Sequence, residues 1–489
     1  MNQPFARLAR RHASALAVGC VALAAGGIVL LRAPHGGVAA PHEGPAVTVT
    51  TPPSQGSGPT RAVFGDAFVR GRVALSQGAV ARRGDHALYA EVRVAARDFD
   101  GEQPRRPVAL ALVLDVSGSM SGEKIIQARN AVLDTVARMR DDDRIALVTY
   151  SDGAQVVQPL ARVGDVRARL QTTVPTIQTI AGTNIPEGLR AGADALSEAP
   201  DSLARRVVLI SDGRDGSGQS LDLISQGVRL RADNGATLSS LGVGADYDEA
   251  FMTRLADAGR GNYEFLRNGA QLRAFLSREL EQTQRTRVDR AVAELDLPAG
   301  VTLDRAFGAE AEVHGSTVRL PVGALAAGEE RRMVVALRVE PAVAADGVSL
   351  HSHVAYRALS TREARELTPG ALALRVVDSD AQASASRDLE VWAEAESTAA
   401  AARQHDAVAA WQQGRVEEAQ RLATTNVANL QRIEREAPAA APMASAQLRQ
   451  INRDSVAFGS LSAGSEAGRA YGLGANALHR RATRSSMSY

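Results

Sequence analysis

A run of apolar residues that ends in three oxygen-bearing side chains constrains this chain more than any other stretch. The apolar run 108–114 is unbroken, which is typical of a β-strand buried on both faces in a parallel sheet. Asp115 follows it directly, and Ser117 and Ser119 lie in the glycine-containing turn that comes next. Because open α/β sheets place ligands at the carboxyl ends of central strands, we expect these oxygens to suit a small hard cation.

From Pro107 onward, apolar runs alternate with helical patterns. The further predicted strands are 144–150, 155–160, 207–210, 237–243 and 263–266. The predicted helices are 125–139, 185–198, 220–234, 248–258 and 270–286. Strands that alternate with helices of this length predict a doubly wound, mostly parallel α/β sheet over residues 105–286, with 155–160 as an antiparallel edge strand.

Short β-strand patterns lie on both sides of this α/β region. Residues 62–104 show strand-like alternation, and residues 287–378 contain several short strands at regular spacing, which is typical of a sandwich. We hypothesise that the two segments form one β-sandwich that flanks the α/β domain or has it inserted. Pairing between residues 66–98 and 288–378 is the observation that this hypothesis requires.

The C-terminal part of the chain is predicted to begin with helices. Residues 386–437 form a helical hairpin whose turn resembles that of a tetratricopeptide unit, and Trp392 and Trp411 are expected in its core. Because one such unit cannot bury its own face, we expect the pair to pack on the sandwich or on a partner. Residues 438–489 show no clear periodicity apart from a short helical pattern, so we expect a largely disordered, low-complexity tail.

The N-terminal segment 1–32 indicates where the protein resides. Three arginines precede an apolar stretch at 13–31, which would span roughly 28 Å as a helix. This pattern favours an inner-membrane anchor with everything downstream outside the cytoplasm, followed by a flexible linker at 33–61. Cleavage near 22–24, which would secrete the protein, and lipidation of Cys20 remain alternatives.

Composition excludes several classes of function. The formal net charge is +1, so we expect no nucleic-acid partner. The sequence contains no nucleophile elbow, phosphate-binding loop, zinc-protease motif or dinucleotide fingerprint. We therefore expect neither an enzyme nor a small-molecule substrate.

Two further loops add oxygen-bearing side chains to the same predicted sheet edge. Thr183 lies just before a predicted helix, and Asp212 follows the apolar strand 207–210. With Asp115, Ser117 and Ser119 they give three hydroxyls and two carboxylates on three loops. A serine-rich turn with two helix-capping aspartates and no metal is the simplest alternative.

These five positions resemble the metal-ion-dependent adhesion site of the von Willebrand factor type A domain. The segments GTNI, SDG and GVGADYDEAFMTRLADAGRGNYEFL resemble the bacterial branch and the branch of the inter-alpha-trypsin inhibitor heavy chains. The resemblance implies that the hydroxyls of Ser117, Ser119 and Thr183 bind Mg²⁺ directly, with Mn²⁺ or Ca²⁺ as alternatives. It implies that Asp115 and Asp212 act directly or through water.

The resemblance also implies a function. An open coordination position on the metal would take a carboxylate from a protein partner. The protein is then expected to be an adhesion-type binding module anchored in a bacterial cell envelope, with its domains in the periplasm. The alternative is an envelope scaffold or assembly factor that binds through the sandwich and the C-terminal helices without metal.

Overall fold

The computed structural model describes residues 59–83, 87–98, 105–212, 214–244, 247–266, 268–344 and 347–484. The expected membrane anchor at 13–31, its alternatives at residues 20–24 and the linker up to residue 58 lie outside these residues. Within the described ranges, none of the helices has the length and apolarity needed to cross a membrane.

Four strands come before the α/β region. They are β1 (Arg61–Gly65), β2 (Val69–Leu75), β3 (Ala79–Ala81) and β4 (Ala87–Ala96). Two of them, β2 and β4, overlap the strand patterns of this segment, whereas β1 and β3 were not expected. They belong to the sandwich described below.

The α/β region contains a single six-stranded sheet. Its strands are β5 (Val108–Asp115), β6 (Arg144–Tyr150), β7 (Ala154–Arg162), β8 (Ala204–Ser211), β9 (Ala236–Val243) and β10 (Arg260–Leu266). Its helices are α1 (Glu123–Arg138), α2 (Val163–Thr173), α3 (Ile185–Ser197), α4 (Leu221–Asp233), α5 (Glu249–Ala258) and α6 (Gly269–Gln284). The strand order is β10-β9-β8-β5-β6-β7, and only the edge pair β6–β7 is antiparallel. The predicted doubly wound sheet is therefore confirmed, whereas α2 was not anticipated.

Strand β5 forms the middle of this sheet, and all eight of its residues are buried. Its leucines face the layer of α1 and α6, and its alanines and Val113 face the layer of α3. The small residues let α3 approach closely, since a Cβ added at Gly192 would lie 2.4 Å from a methyl carbon of Val113. At Gly188, one turn earlier, it would lie 2.6 Å from the ring of Tyr150. This close packing fixes the start of α3, next to Thr183.

The β-sandwich follows in the sequence. Its elements are β11 (Thr286–Asp296), β12 (Val301–Phe307), β13 (Glu312–His314), β14 (Thr317–Ala326), β15 (Glu330–Val339), α7 (Pro341–Ala344), β16 (Gly347–Ala358), β17 (Ala364–Leu367), β18 (Leu372–Val377) and α8 (Asp380–Ala385). One sheet has the order β1-β2-β4-β15-β12, and the other has the order β13-β14-β11-β16-β18-β3, with β17 on β16.

The two sheets share one hydrophobic core, and strands from both sides of the α/β region meet in it. Strand β4 pairs with β15 over nine residues, from Ala87↔Arg338 to Ala95↔Glu330. This is the pairing that the insertion hypothesis requires. The chain leaves the sandwich after β4 and returns at β11, and the two crossing segments touch where Arg285 pairs with Asp98 at 3.2 Å.

Four long helices end the described chain. They are α9 (Leu389–Gln412), α10 (Val416–Glu436), α11 (Ala441–Ser460) and α12 (Glu466–Arg484). The first two lie within the predicted hairpin, and Trp392 and Trp411 are buried in the core of this segment. The expectation of a disordered tail at 438–489 is wrong for most of that range, because α11 and α12 occupy it.

The packing of α11 and α12 explains why the sequence pattern did not reveal them. The ring centroid of Trp411 lies 5.6 Å from that of Phe458 and 6.3 Å from that of Tyr471, and alanines fill much of the remaining contact. A fully buried pair, Asp454 and His479, joins the two helices with a 2.7 Å contact. Alanines and polar side chains on a buried face do not stand out as core positions in a sequence.

Asp454 depends on this partner. Burial by itself would raise the pKa of Asp454, but the hydrogen bond and charge of His479, with hydrogen bonds from Tyr471 and Gln404, hold the pKa below its ordinary value. Because the folded-state pKa is lowered, the stabilisation is present above the unfolded pKa. It is lost as pH falls through the folded value.

We predict that His479→Ala lowers the free energy of unfolding by about 3 kcal/mol at neutral pH, because it leaves the buried Asp454 carboxylate without its hydrogen-bond partner on α12. Urea denaturation measures the change. Glu466→Ala, at an exposed position of the same helix, is the control and should change stability by less than about 0.5 kcal/mol. Equal stability of the two variants would show that the buried pair does not hold α12 in place.

Candidate metal centre

The five predicted site residues lie on three loops at one edge of the α/β sheet. Asp115 is the last residue of β5, and Asp212 directly follows β8. Ser117 and Ser119 lie in the turn after β5, which includes one turn of 3₁₀ helix. Thr183 lies two residues before α3 begins. The parallel pairing of β5 with β8 is what brings the two aspartates to the same edge.

Asp115 is a fully buried carboxylate that three donors hold in place. Its Oδ1 accepts a hydrogen bond from the Ser117 backbone N–H at 2.8 Å. Its Oδ2 accepts from the hydroxyl of Ser211 at 2.7 Å and from that of Tyr150 at 3.3 Å. The sequence did not single out Ser211 or Tyr150, and the one available signal was their position as the last residues of the neighbouring strands β8 and β6.

The charge of Asp115 is not balanced by these contacts. Burial raises the pKa of Asp115, the hydrogen bonds from Ser117 and Ser211 oppose this, and the negative charge of Asp212 adds to the rise. Two carboxylates that are both removed from water repel each other, and a cation between or beside them would relieve this repulsion. The site thus has the electrostatic character of a cation site.

A chain of hydrogen bonds connects the turn after β5 to Asp212. The hydroxyl oxygens of Ser117 and Ser119 lie 3.0 Å apart, and the Ser119 hydroxyl donates to Oδ1 of Asp212 at 2.7 Å. Ser119 is exposed while Asp212 is buried, so the chain runs from the surface to the sheet. Four of the five predicted residues are therefore brought together by hydrogen bonds.

Thr183 is placed beside this group by its backbone. The Gly216 N–H donates to the carbonyl of Thr183 at 2.8 Å, which joins its loop to the one after β8. The Ile180 N–H donates to the carbonyl of Val116 at 2.7 Å, which joins the same loop to the turn after β5. Among the described residues, no side-chain hydrogen bond links Thr183 to the other four. Its loop is fixed next to them, and its hydroxyl remains available.

The loop that carries Thr183 has a constrained conformation. Gly182 has a φ of +91°, and a Cβ at this position would lie 1.6 Å from Oδ1 of Asp152. On the other side, Asn184 caps α3 by accepting from the Glu187 N–H at 3.1 Å, and its own N–H donates to the Ser151 carbonyl at 2.6 Å. Both neighbours of Thr183 are thus fixed in space.

The donor set fits a hard divalent cation. It consists of carboxylate and hydroxyl oxygens, which suit Mg²⁺, Mn²⁺ or Ca²⁺ better than the nitrogen and sulfur ligands that Zn²⁺ favours. Ser119 gives its proton to Asp212, so its oxygen keeps lone pairs that a cation can use. Throughout the described ranges, no group of three or more His, Cys, Asp or Glu side chains is arranged to hold a metal. The hydroxyls would therefore have to complete the shell.

One further residue that was not expected takes part in the site. The ammonium of Lys124 donates to Oδ2 of Asp212 and, at 3.3 Å, to the backbone carbonyl of Ser119. Lys124 is the second residue of α1 and the single lysine in a chain with 56 basic residues. That composition was the one sequence signal for it.

Comparison with known proteins identifies the α/β domain. Residues 109–278 match the family model of the von Willebrand factor type A domain, so the chain contains such a domain. The resemblance expected from the sequence is confirmed. Domains of this kind commonly serve as protein-interaction modules.

Relatives and a solved structure extend this finding. The uncharacterized protein YfbK of Escherichia coli (strain K12) is 29% identical over 229 residues, which is 45% of this chain and 39% of that protein. Inter-alpha-trypsin inhibitor heavy chain H2 of Mus musculus is 31% identical over 169 residues, which is 32% of this chain and 17% of that protein. The chain thus spans well under half the length of these relatives. A von Willebrand factor type A structure from Catenulispora acidiphila has a TM-score of 0.58 at 20% identity, covers 78% of this chain and 91% of that one, and is alike in fold alone.

We predict that Gly182→Ala destabilises the domain more than Gly218→Ala does. Both glycines have positive φ, so either change costs about 1 kcal/mol in backbone strain. At Gly218 an added Cβ would meet no described atom within 4 Å, whereas at Gly182 it would collide with Asp152. Chemical denaturation measures both. Equal losses would mean that the exposed side chain of Asp152 moves out of the way without cost.

Proposed function

We propose that this chain is an adhesion-type protein-binding module that holds a divalent metal at the edge of its α/β sheet. Asp115, Ser117, Ser119, Thr183 and Asp212 would bind the metal, directly or through water. The observation that carries the proposal is the hydrogen-bonded chain from exposed Ser119 to buried Asp212, beside a second buried carboxylate at Asp115. Mg²⁺ is the proposed ion, with Mn²⁺ and Ca²⁺ as alternatives.

The residues of the site divide the work between them. Asp115 is oriented by Ser211 and Tyr150, so its carboxylate is held ready and need not reorganise. Ser119 lies at the solvent side, where a ligand can approach. When bound, the metal would supply a positive centre with one position open to an incoming oxygen. Two carboxylates roughly balance its charge and the hydroxyls are neutral, so the centre would attract an anionic ligand.

We propose that this ligand is a carboxylate from a protein partner. An acidic side chain is the commonest anionic oxygen donor that a protein surface offers. An apolar contact is available next to it, because Ile180 on the Thr183 loop is 59% exposed. No nucleic acid or small-molecule substrate and no enzymatic activity is proposed.

The location of the protein is also proposed. The stretch 13–31 would anchor the chain in the inner membrane and place the domains in the periplasm of a bacterial envelope. The E. coli relative is consistent with a bacterial origin, and cleavage and secretion are the alternative. Fractionation of cells, with detection of the N-terminal residues in the membrane fraction, distinguishes an anchor from a cleaved signal.

We predict that Asp115→Ala abolishes Mg²⁺ binding without unfolding the sheet. We predict that Asp115→Asn weakens binding by at least about tenfold, because it removes the charge and keeps a single acceptor oxygen, which Ser211 and Tyr150 can share. Isothermal titration calorimetry measures the affinity, and far-ultraviolet circular dichroism reports the fold. Asp165→Ala removes an exposed carboxylate of α2 and should leave the affinity unchanged. Unaltered Mg²⁺ affinity in both Asp115 variants would refute the proposed site.

Partner capture separates the adhesion proposal from the metal-independent scaffold. We predict that capture from an envelope extract is lost in EDTA and in Asp115→Ala, because the partner's carboxylate needs the metal. Deleting 386–437 is not a clean test of the scaffold alternative, since it removes Trp411 from the core that holds α11 and α12. Capture that persists in EDTA with the full chain would favour the scaffold.

A further inference from the structure

We propose that Lys124 is a built-in competitor of the metal: its ammonium and the divalent ion contend for the carboxylate of Asp212, so that Lys124 lowers the metal affinity that the oxygen ligands alone would give. This inference rests on the metal-binding function proposed above. It adds a regulatory residue that none of the five ligand positions includes.

The geometry places the ammonium directly on a ligand. Asp212 is buried, and its two oxygens are divided between two donors: the Ser119 hydroxyl on Oδ1 and the Lys124 ammonium on Oδ2. The ammonium also reaches the carbonyl of Ser119 at 3.3 Å. The side chain of Lys124 is 35% exposed, so solvent reaches the residue that neutralises this buried carboxylate.

Lys124 lies near the ends of three strands, β5, β8 and β9. It begins in α1, after the turn that follows β5, and contacts Asp212 after β8. A Cβ added at Gly244, just after β9, would lie 3.6 Å from Cε and Nζ of Lys124. At that distance an added Cβ would make ordinary van der Waals contact, so the end of the lysine side chain lies beside the end of β9. The ammonium is therefore held at the sheet edge where the metal is proposed to bind.

Asp115 and Asp212 differ in how their charges are met. The described contacts of Asp115 come from neutral donors, Ser117, Ser211 and Tyr150. Asp212 has a cation of the chain itself. A divalent ion that uses Asp212 must either share the carboxylate with a like charge a few ångströms away or displace the ammonium into water. Both routes oppose metal binding, and removal of the ammonium removes that opposition.

Lysine is better suited than arginine to a competitor that must release Asp212. An ammonium on a flexible four-carbon stem is a compact, strongly hydrated charge, whereas a guanidinium would grip a carboxylate with two parallel hydrogen bonds. The chain uses arginine at its other 55 basic positions, the 56 basic residues less this one lysine. Among the described residues, the basic side chain that contacts Asp212 is this lysine, which allows the exchange that an arginine would resist.

Removing the ammonium should change the stabilities of the metal-free and the metal-bound protein in opposite directions. Without the ammonium, the metal-free protein keeps a buried carboxylate with no cation and becomes less stable. The metal-bound protein loses a source of repulsion. By linkage, the increase in melting temperature that metal produces must become larger when the lysine charge is removed.

The test compares Lys124→Met, which keeps the apolar stem and removes the charge, with Lys124→Arg, which keeps the charge. Mg²⁺ and Mn²⁺ are titrated by calorimetry into the full chain. We expect Lys124→Met to bind at least about tenfold more tightly than the unmodified protein, and Lys124→Arg to bind no more tightly. In EDTA, Lys124→Met should melt below the unmodified protein, and saturating Mg²⁺ should reverse that order or close the gap.

Arg138→Met is the matched control, because it removes one positive charge from the exposed far end of the same helix. It should leave the metal affinity unchanged. If the unmodified protein binds metal and Lys124→Met binds it equally or more weakly, the competition is overturned while the metal site stands. If neither binds, both proposals fail. Binding by Lys124→Met alone would support the competition in its strongest form.

Discussion

Strand β5 is buried along its whole length, and each of its backbone hydrogen-bonding groups must find a partner inside the sheet. Strands β6 and β8 provide those partners in parallel register on the two sides. Because neighbouring parallel strands end at the same edge, the ladder brings Asp115 and Asp212 together. The position of the site is thus a consequence of how the backbone hydrogen-bonding groups of one apolar strand find their partners.

The same arrangement produces a conflict of charge. Two carboxylates lie at the end of a dry sheet, where their mutual repulsion is poorly screened. The fold meets the charge of Asp115 with neutral donors on three neighbouring segments and meets that of Asp212 with Lys124. Under the proposed function, a metal that binds Asp212 would have to exchange with the Lys124 ammonium. That exchange, together with the ligand set, would determine how strongly a metal is held.

The α/β domain also contacts the sandwich and the C-terminal helix α12. Where the chain leaves the sandwich and returns to it, Arg285 pairs with Asp98 at 3.2 Å. The C-terminal helix α12 contacts α5 of the α/β domain. Arg480 pairs with Asp257 through two 2.6 Å hydrogen bonds, and Asn476 donates to Glu249 at 2.9 Å. Both acidic residues lie on α5, the helix that follows the loop next to Lys124. The C-terminal helices therefore contact the helix that comes next in the chain after Gly244, the residue beside Lys124.

The sequence alone determined the doubly wound sheet, its antiparallel edge and the five oxygen-bearing residues, because a strand buried on both faces and the residues at its end are encoded by adjacent positions. It also indicated that strands on both sides of the insertion belong together. It could not reveal Ser211, Tyr150 or Lys124 as members of the site, since their roles depend on which strands become neighbours. Helices α11 and α12 were missed for a related reason: alanines and the pair of Asp454 with His479 form much of their packing, and only the fold shows which of these residues face a distant segment. Only the tertiary structure decided which cation lies on Asp212.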